Sequence, residues 1–459
     1  MDNDRKTIFL QYAAAIICSI TAIGCGSSFS WTSPALPYLT SNSSYLEVSM
    51  EQSDTIASLL PVGYIIGYLI NPILIDRLGR KWTLLMFSGP QFFSWLLIVL
   101  ADNVSVIYAA RIVNGIGYGG GYCSCTVYLS EIGSRKNRGI FITFINLSMG
   151  IGILIIMLLG AYLPYYYMNV SLLFMPIVFF FTFIFIPDSS YFIEKNKNIE
   201  KEEERVDLMD PRKFQIIEMQ KKIRTAGLEA GERESKILNL KRSKLWKLFS
   251  VQSSRRGLII IVMLAAHDVF SGHMALRFFT QQILTFGEFW LAPEKATLII
   301  ATVKIVACFL NTLVIERIKR RSLLFFSGIL SALAQGIISS FFFAVEYQLD
   351  VSSFGWVPIF ASAFYEFGLS IGIGNLYYVL QGELLPLEVR SYGITVIKIF
   401  YMAFTYICLV RFQLLVENVG AHFIFLFFAI FCFIFTLILF KILPETKGKS
   451  LRDIQTIFK

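Results

Sequence analysis

Asp76-Arg-Leu-Gly-Arg-Lys81 ends one long apolar stretch, and 240 residues later Glu316-Arg-Ile-Lys-Arg-Arg321 ends another. The runs they close lie near 55–75 and 294–315, each close to the ~20 apolar residues that cross a hydrocarbon core. A second pair of charges recurs in the same order. Glu131 precedes Arg138 and Glu383 precedes Arg390, with a spacing of seven both times. Seven residues is nearly two helical turns, so acid and base share one side if a helix continues through them. Short basic loops occur in any membrane protein, but two matched pairs in corresponding places indicate an internal repeat.

Further apolar runs extend outward from these. They lie near 10–33, 82–100, 104–126, 140–163 and 168–186, then near 257–285, 322–345, 353–382, 391–415 and 421–443. The chain therefore reads as an all-α membrane protein of twelve transmembrane helices in two six-helix bundles, 1–186 and 257–459. The hydrophilic segment 187–256 joins them, and its runs Lys201-Glu-Glu-Glu-Arg205 and Lys241-Arg-Ser-Lys244 suit a solvated linker.

Composition agrees. Of 459 residues, 55% are apolar and 16% charged, and mean hydropathy is +0.62. Soluble domains carry about 25% charged residues, so this chain cannot cover a globular surface in water. Disorder, a collagen-like chain and a secreted disulfide scaffold are excluded, and 43 Phe residues suit lipid-facing helices. The seven cysteines (Cys18, Cys25, Cys123, Cys125, Cys308, Cys408 and Cys432) fall inside apolar runs and read as small fillers. Cys123 and Cys125 are too close on a helix to clasp zinc, so no metal is expected. The run after Arg5 and Lys6 is too long for a signal peptide and reads as a retained first helix.

Basic residues set the orientation. Arg77, Arg80 and Lys81, then Arg135, Lys136 and Arg138, then Arg317, Lys319, Arg320 and Arg321 fall in alternate loops, whereas the other loops are nearly free of Lys and Arg. The basic side is expected to be cytoplasmic, with both termini and the central loop. This bias explains the net charge of +9 without a nucleic-acid partner. Asn42-Ser-Ser44 in the first outer loop is a glycosylation acceptor by pattern. Asn169-Val-Ser171 lies outside but near the membrane, Asn103-Val-Ser105 lies in a very short outer loop, and Asn146-Leu-Ser148 lies within a span.

The repeated charges suggest a lock on the cytoplasmic side. Charges at helix ends in both halves can pair across the interface when the outside is open and separate when the inside opens. Exposed pairs contribute about 0–1 kcal/mol each, enough for a network to favour one state without freezing it.

The chain resembles the sugar porters of the major facilitator superfamily, and among them the insect facilitated trehalose and glucose transporters. The resemblance rests on Trp31-Thr-Ser-Pro-Ala-Leu36, Asp76-Arg-Leu-Gly-Arg-Lys81, Arg111-Ile-Val-Asn-Gly-Ile-Gly-Tyr-Gly119, Tyr128-Leu-Ser-Glu131, Arg138-Gly139 and Pro187-Asp-Ser-Ser-Tyr191. In the second half it rests on Glu316-Arg317, Gly372-Ile-Gly374, Glu383-Leu-Leu-Pro386, Arg390 and Pro444-Glu-Thr-Lys-Gly448. It implies a facilitative sugar carrier rather than an enzyme, working without a cofactor in the plasma membrane on a small-molecule sugar. The oligomeric state is not set by the sequence. The gating set it implies is Asp76, Arg77, Gly79, Arg80, Glu131, Arg138, Glu316, Arg320, Glu383 and Arg390. Gly115, Gly117 and Gly119 read as helix-packing residues.

The family's midplane sugar site maps onto Asn146, Asp268, Met274, Lys304, Tyr378 and Tyr401. Of these only Asn146 keeps an amide. The family's span-10 prolines and tryptophan are replaced within Gly374-Asn-Leu-Tyr-Tyr378, where Asn375 with Gly372 and Gly374 softens the helix instead. Charge has entered the membrane: Asp268, Arg277, Lys304, Glu366 and Lys398 fall inside spans, with His267 and His273. Such groups face a cavity or a partner. Lys398 is near enough to the cytoplasm to snorkel. Asp268 and Lys304 both lie about eleven residues from the cytoplasmic side, roughly 16 Å deep, which predicts a buried ion pair between spans 7 and 8. Two other readings compete with a facilitative sugar carrier: a proton-coupled or charged-solute carrier, and a non-transporting sensor. No GxxxxGK[ST] loop and no channel filter is present.

Overall fold

The computed structural model describes residues 2–133, 137–189, 244–285, 291–314, 317–386, 388–449, 453–454 and 456. Glu316, the run 201–205 and residues 241–243 lie outside them, as does the side chain of Arg138. Among the described residues every regular element is helical.

Among the described residues ten helical segments are long and apolar enough to cross a membrane. Spans 1 to 3 are Leu10–Leu39, Met50–Leu78 and Arg80–Val99; spans 5 and 6 are Phe144–Tyr162 and Tyr165–Phe183. Span 7 is Gln252–Ile283, span 9 Arg320–Glu346, span 10 Val357–Leu384, span 11 Arg390–Val419 and span 12 Ala421–Ile442. Helices Val104–Ile132 and Pro293–Val314 fall between them as spans 4 and 8. The first is diluted by five glycines, Arg111 and Asn114, and the second carries three charges, Glu294, Lys295 and Lys304. Span 7 begins at Gln252, before the expected start at 257, because helix Lys244–Ser250 leads into it across a single residue.

Local chemistry fixes the helix ends. A capping box starts span 2: Gln52 N–H donates to Ser49 Oγ (3.2 Å) and Ser49 N–H donates to Gln52 Oε1 (2.9 Å). Gly79, at φ 85°, ends span 2 and begins span 3 in one residue, a left-handed turn open to glycine at little cost. Gly115 lets spans 2 and 4 touch, since a Cβ there would meet Leu60 O at 2.4 Å and Gly63 Cα at 2.7 Å.

Spans 1 to 6 pack on one another and spans 7 to 12 likewise; span 2 meets span 11, and span 5 meets span 8. Two spans of the second set are broken. In span 7 a single π turn, Val269–His273, holds Gly272 at φ 92°. Gln335 of span 9 donates to the freed Ser271 carbonyl (2.7 Å). In span 10 the break falls at Gly372. There Ser327 of span 9 donates its hydroxyl to Gly368 O (2.8 Å) and accepts from Ile373 N–H (3.1 Å). Broken backbone is stable at membrane depth only with such partners. The expected softening of span 10 thus takes the form of a glycine break spliced by a serine, with Asn375 Nδ2 donating to Ser370 O (2.6 Å).

Candidate functional site

A cavity of about 380 Å³ opens between spans 5, 7, 8, 10 and 11. That volume falls within the roughly 300–1,000 Å³ typical of small-molecule sites. Five of the six sequence-chosen residues line it: Asn146, Asp268, Lys304, Tyr378 and Tyr401. The sixth, Met274, is fully buried and is not part of the wall. The π turn advances the register of span 7, so the preceding residue, His273, faces the cavity instead.

The predicted Asp268–Lys304 pair is not made. Lys304 Nζ bonds Glu366 Oε2 of span 10 at 2.6 Å. Asp268 Oδ2 accepts from Tyr401 Oη (2.7 Å) and from His273 Nδ1 (3.1 Å). His273 stands between, with its Nε2 3.3 Å from Lys304 Nζ and 2.9 Å from Arg277 Nη2. Asp268 and Lys304 do lie at similar depth, but depth alone does not say that span 10 turns Glu366 toward Lys304 or that the broken span 7 inserts His273 between them. An arginine can only donate, so Nε2 accepts and the proton sits on Nδ1, donated to Asp268. His273 is thereby a neutral bridge. His267 faces away, 2.9 Å from Thr436 Oγ1 of span 12.

Across the cavity the first set of helices offers neutral groups. Asn146 Oδ1 accepts from Tyr122 Oη (3.0 Å), and Met149, Gly150 and Ile153 complete that wall. Asn146 is therefore a cavity residue, consistent with its dismissal as a glycosylation acceptor.

The end bearing Asp188 and Glu445 is the one with the basic loops. There Arg80 of span 3 grips Glu131 of span 4 with Nε at 3.0 and 2.9 Å and Nη2 at 2.8 Å. Ser189 Oγ donates to Glu131 (2.5 Å), and Asp188 Oδ1 accepts from Lys81 N–H (3.2 Å). The second set repeats this. Arg320 Nη2 bonds Glu383 Oε1 (3.1 Å), Thr446 Oγ1 donates to Glu383 (2.5 Å), and Glu445 accepts from Arg320 and Arg321 N–H (3.0 and 3.3 Å). Pro187-Asp-Ser189 and Pro444-Glu-Thr446 are thus equivalent segments of the repeat.

These ion pairs join helices of the same set in a structure whose two sets meet at the opposite end, whereas the crossing is expected for the state open at that end. Two expectations change. The partner of Glu383 is Arg320 rather than Arg390, whose guanidinium donates to Leu385 O at 3.3 and 3.1 Å. The helix does not run through from Glu383 to Arg390, so their seven-residue spacing does not align them. Asp76 and Arg77 are exposed on the last turn of span 2 and lie outside the cluster. Glu316 and the Arg138 side chain lie outside the described residues.

Contacts do cross at the opposite end. Asp54 of span 2 accepts from Gln413 N–H (2.9 and 3.1 Å) and Leu414 N–H (3.2 Å) after span 11 turns. Gln413 Nε2 donates to Ser53 Oγ (3.0 Å) and Gln282 Oε1 (2.7 Å), and Arg411 pairs with Glu51 (2.6 Å). Thr32 Oγ1 donates to Phe278 O (2.8 Å). Asn42 is exposed nearby, whereas Asn169 is fully buried and accepts from Trp31 Nε1 (2.7 Å), which removes it as an acceptor for glycan. Asn103 caps span 4, accepting from Val106 N–H (3.0 Å).

Broken helices around a polar midplane cavity, closed at one end by contacts between two repeated sets, define a membrane transporter of the major facilitator fold. Residues 15–458 match the family described as "Sugar (and other) transporter", and the chain belongs to that family. It is 27% identical over 451 residues to the facilitated trehalose transporter Tret1 of Culex quinquefasciatus, covering 98% of this chain and 86% of that one. It is 28% identical over 453 residues to Tret1 of Apis mellifera ligustica, covering 98% and 88%. Among solved structures it is similar to the inward open conformation of the xylose transporter XylE from E. coli. That likeness has a TM-score of 0.75 at 17% identity, over 98% of this chain and 100% of that chain.

Proposed function

We propose that this transporter is a facilitative carrier of a neutral-ring sugar, a hexose or trehalose, working by alternating access between units 1–186 and 257–459. The observation that carries the reading is the cavity itself. It combines Asn146, Asn375 and tyrosine hydroxyls, suited to sugar hydroxyls, with aromatic faces suited to a sugar ring. The substrates in the names of the insect relatives support the same class.

In this reading the basic end is cytoplasmic, the protein sits in the plasma membrane with both termini inside, and Asn42 carries glycan. The contacts of Asp54, Gln413 and Arg411 then close the outside, and the two Arg–Glu clusters hold the inner helix ends of each unit as it moves.

Uptake of labelled trehalose and glucose by expressing cells, with and without an imposed pH gradient, tests this. Saturable uptake indifferent to the gradient is expected. Gradient-driven uptake would mean proton coupling, and no uptake of any sugar with protein at the surface would leave a sensor. Glycosidase should shift the band of the wild type, and Asn42→Gln should remove the shift; modification only within 187–256 would invert the topology.

A further inference from the structure

The groups that wall the cavity do not balance in charge. Asp268, Arg277 and Lys304 line the cavity, Glu366 lines one small recess beside it and Lys398 another, so with His273 neutral the cavity and its recesses together hold three cations and two carboxylates. Lys304 is matched by Glu366, and Asp268 is held by Tyr401 and His273. The other two cations form no ion pair among the described residues. Arg277 borders the main cavity and both smaller recesses beside it, bonds His273 through Nη2, and has a buried Nε without a partner. Lys398 Nζ lies 5.3 Å from the Tyr68 ring and 5.4 Å from the Tyr122 ring, and 3.8 Å from Cys123 Sγ.

Arg277 and Lys398 meet in one recess of about 50 Å³. It is walled by Tyr64, Tyr68, Tyr122 and Tyr377 and holds no carboxylate among its described lining. The recess shares Arg277, Tyr377, Tyr378 and Tyr401 with the main cavity, so a single solute can reach both. Aromatic faces make an empty state tolerable for Lys398, while a partly buried cation without a counter-ion attracts an anion. The expected snorkelling of Lys398 is replaced by this inward placement.

We propose that the favoured substrate is a sugar bearing one anionic group, carboxylate or phosphate, held between Arg277 and Lys398 while its hydroxyls meet Asn146, Asn375 and Asp268. This rests on the transport reading above and changes its preferred substrate from a neutral sugar to an acidic derivative of one. The guanidinium supplies paired donors to an oxyanion, and the ammonium supplies a second charge. One negative charge brings the cavity to neutrality, which a neutral hexose cannot do.

Purified protein should be stabilised against heating by D-glucuronate or D-glucose 6-phosphate at concentrations about tenfold below those of D-glucose, the scale of one added charged contact. Whichever of the two anions is stronger identifies carboxylate or phosphate. In Lys398→Gln the preference for the anion over glucose should fall about tenfold, and in Lys398→Arg it should return. Equal or weaker stabilisation by both anions in the wild type, or a preference unchanged in Lys398→Gln, would overturn the proposal. Because this is a binding measurement, it decides the anion independently of uptake. Glucose uptake without an anion preference removes this inference alone, whereas absent uptake with anion-specific stabilisation removes the transport reading alone.

Discussion

The two halves of the molecule agree at their ends and differ at their centres. At the basic end, Arg80–Glu131–Ser189 and Arg320–Glu383–Thr446 are built alike, down to the acid, Asp188 or Glu445, that accepts from backbone N–H at the start of span 3 or span 9. At the midplane, the first half presents Asn146 and tyrosines, whereas the second supplies Asp268, His273, Arg277, Lys304 and Glu366. The breaks that carry those groups, at Gly272 and Gly372, also lie in the second half. Repetition is kept at the helix ends and lost at the central cavity. Each half can therefore be perturbed separately, and the effects should rank by burial and pairing.

The charged midplane should give the largest effect. Lys304→Met or Glu366→Leu alone leaves a buried unpaired charge, which costs about 3–5 kcal/mol, while the double change is close to neutral. Surface expression and thermal stability of the three variants check this; additive losses would mean the pair does not couple. Across the cavity, Asn146→Ala in the neutral wall should cost only about 1 kcal/mol.

The repeated ends should respond in parallel and more mildly. Arg80→Ala and Arg320→Ala each remove a partly buried charged contact worth roughly 1.5–3 kcal/mol. The first should be worse, because Arg80 and Glu131 are 8% and 16% exposed against 11% and 25% for Arg320 and Glu383. Labelling of a cysteine reporter at the basic end should accelerate in both. An effect in one half alone would break the equivalence.

One position inside the repeat differs in backbone. Gly79 turns left-handed, while Lys319 at the matching place is extended at φ −64°. Gly79→Ala should thus cost about 1–2 kcal/mol of stability, and Lys319→Ala almost nothing. Comparable melting shifts would contradict the backbone assignment.

The smallest effect concerns pH. Burial raises the Glu445 carboxyl, but backbone N–H groups of Lys447, Arg320 and Arg321 outweigh it and hold the group below the usual carboxylate range. A depressed acid stabilises the fold above its ordinary value, near pH 4.5, and loses that contribution as pH falls through the folded value. The melting temperature of purified protein should fall slightly more steeply below about pH 4.5 in the wild type than in Glu445→Gln.

Much of this was legible from the chain alone. Hydropathy gave the order of spans because a bilayer demands long apolar helices, and the repeated motifs marked both ends. Asp268 and Lys304 stood out because charge inside an apolar run needs a reason. Glu366 and His273 stood out on the same ground, but the pairing did not, since spacing along one helix says nothing about which residue another helix presents. The π turn decided more: it replaced Met274 by His273 at the wall, and no local pattern in Val269-Phe-Ser-Gly-His273 announces a shifted register beyond the glycine itself. A sharper signal was available in the four-residue spacing of His273 and Arg277, which puts both on one helix face. The pairing of Glu383 failed for a similar reason, because the seven-residue rule needs a continuous helix and Pro386 interrupts it.

Alternating access requires the contacts that close the end opposite the basic loops to part in every cycle. Ser53 and Gln413 touch across the two halves through Oγ and Nε2 at 3.0 Å, so Ser53→Cys with Gln413→Cys can be joined by an oxidant. Sugar uptake by cells carrying the double cysteine variant should stop on oxidation and return on reduction, with either single variant unaffected. Uptake continuing at the unoxidised rate with the cross-link complete would contradict movement of the two halves about a central cavity.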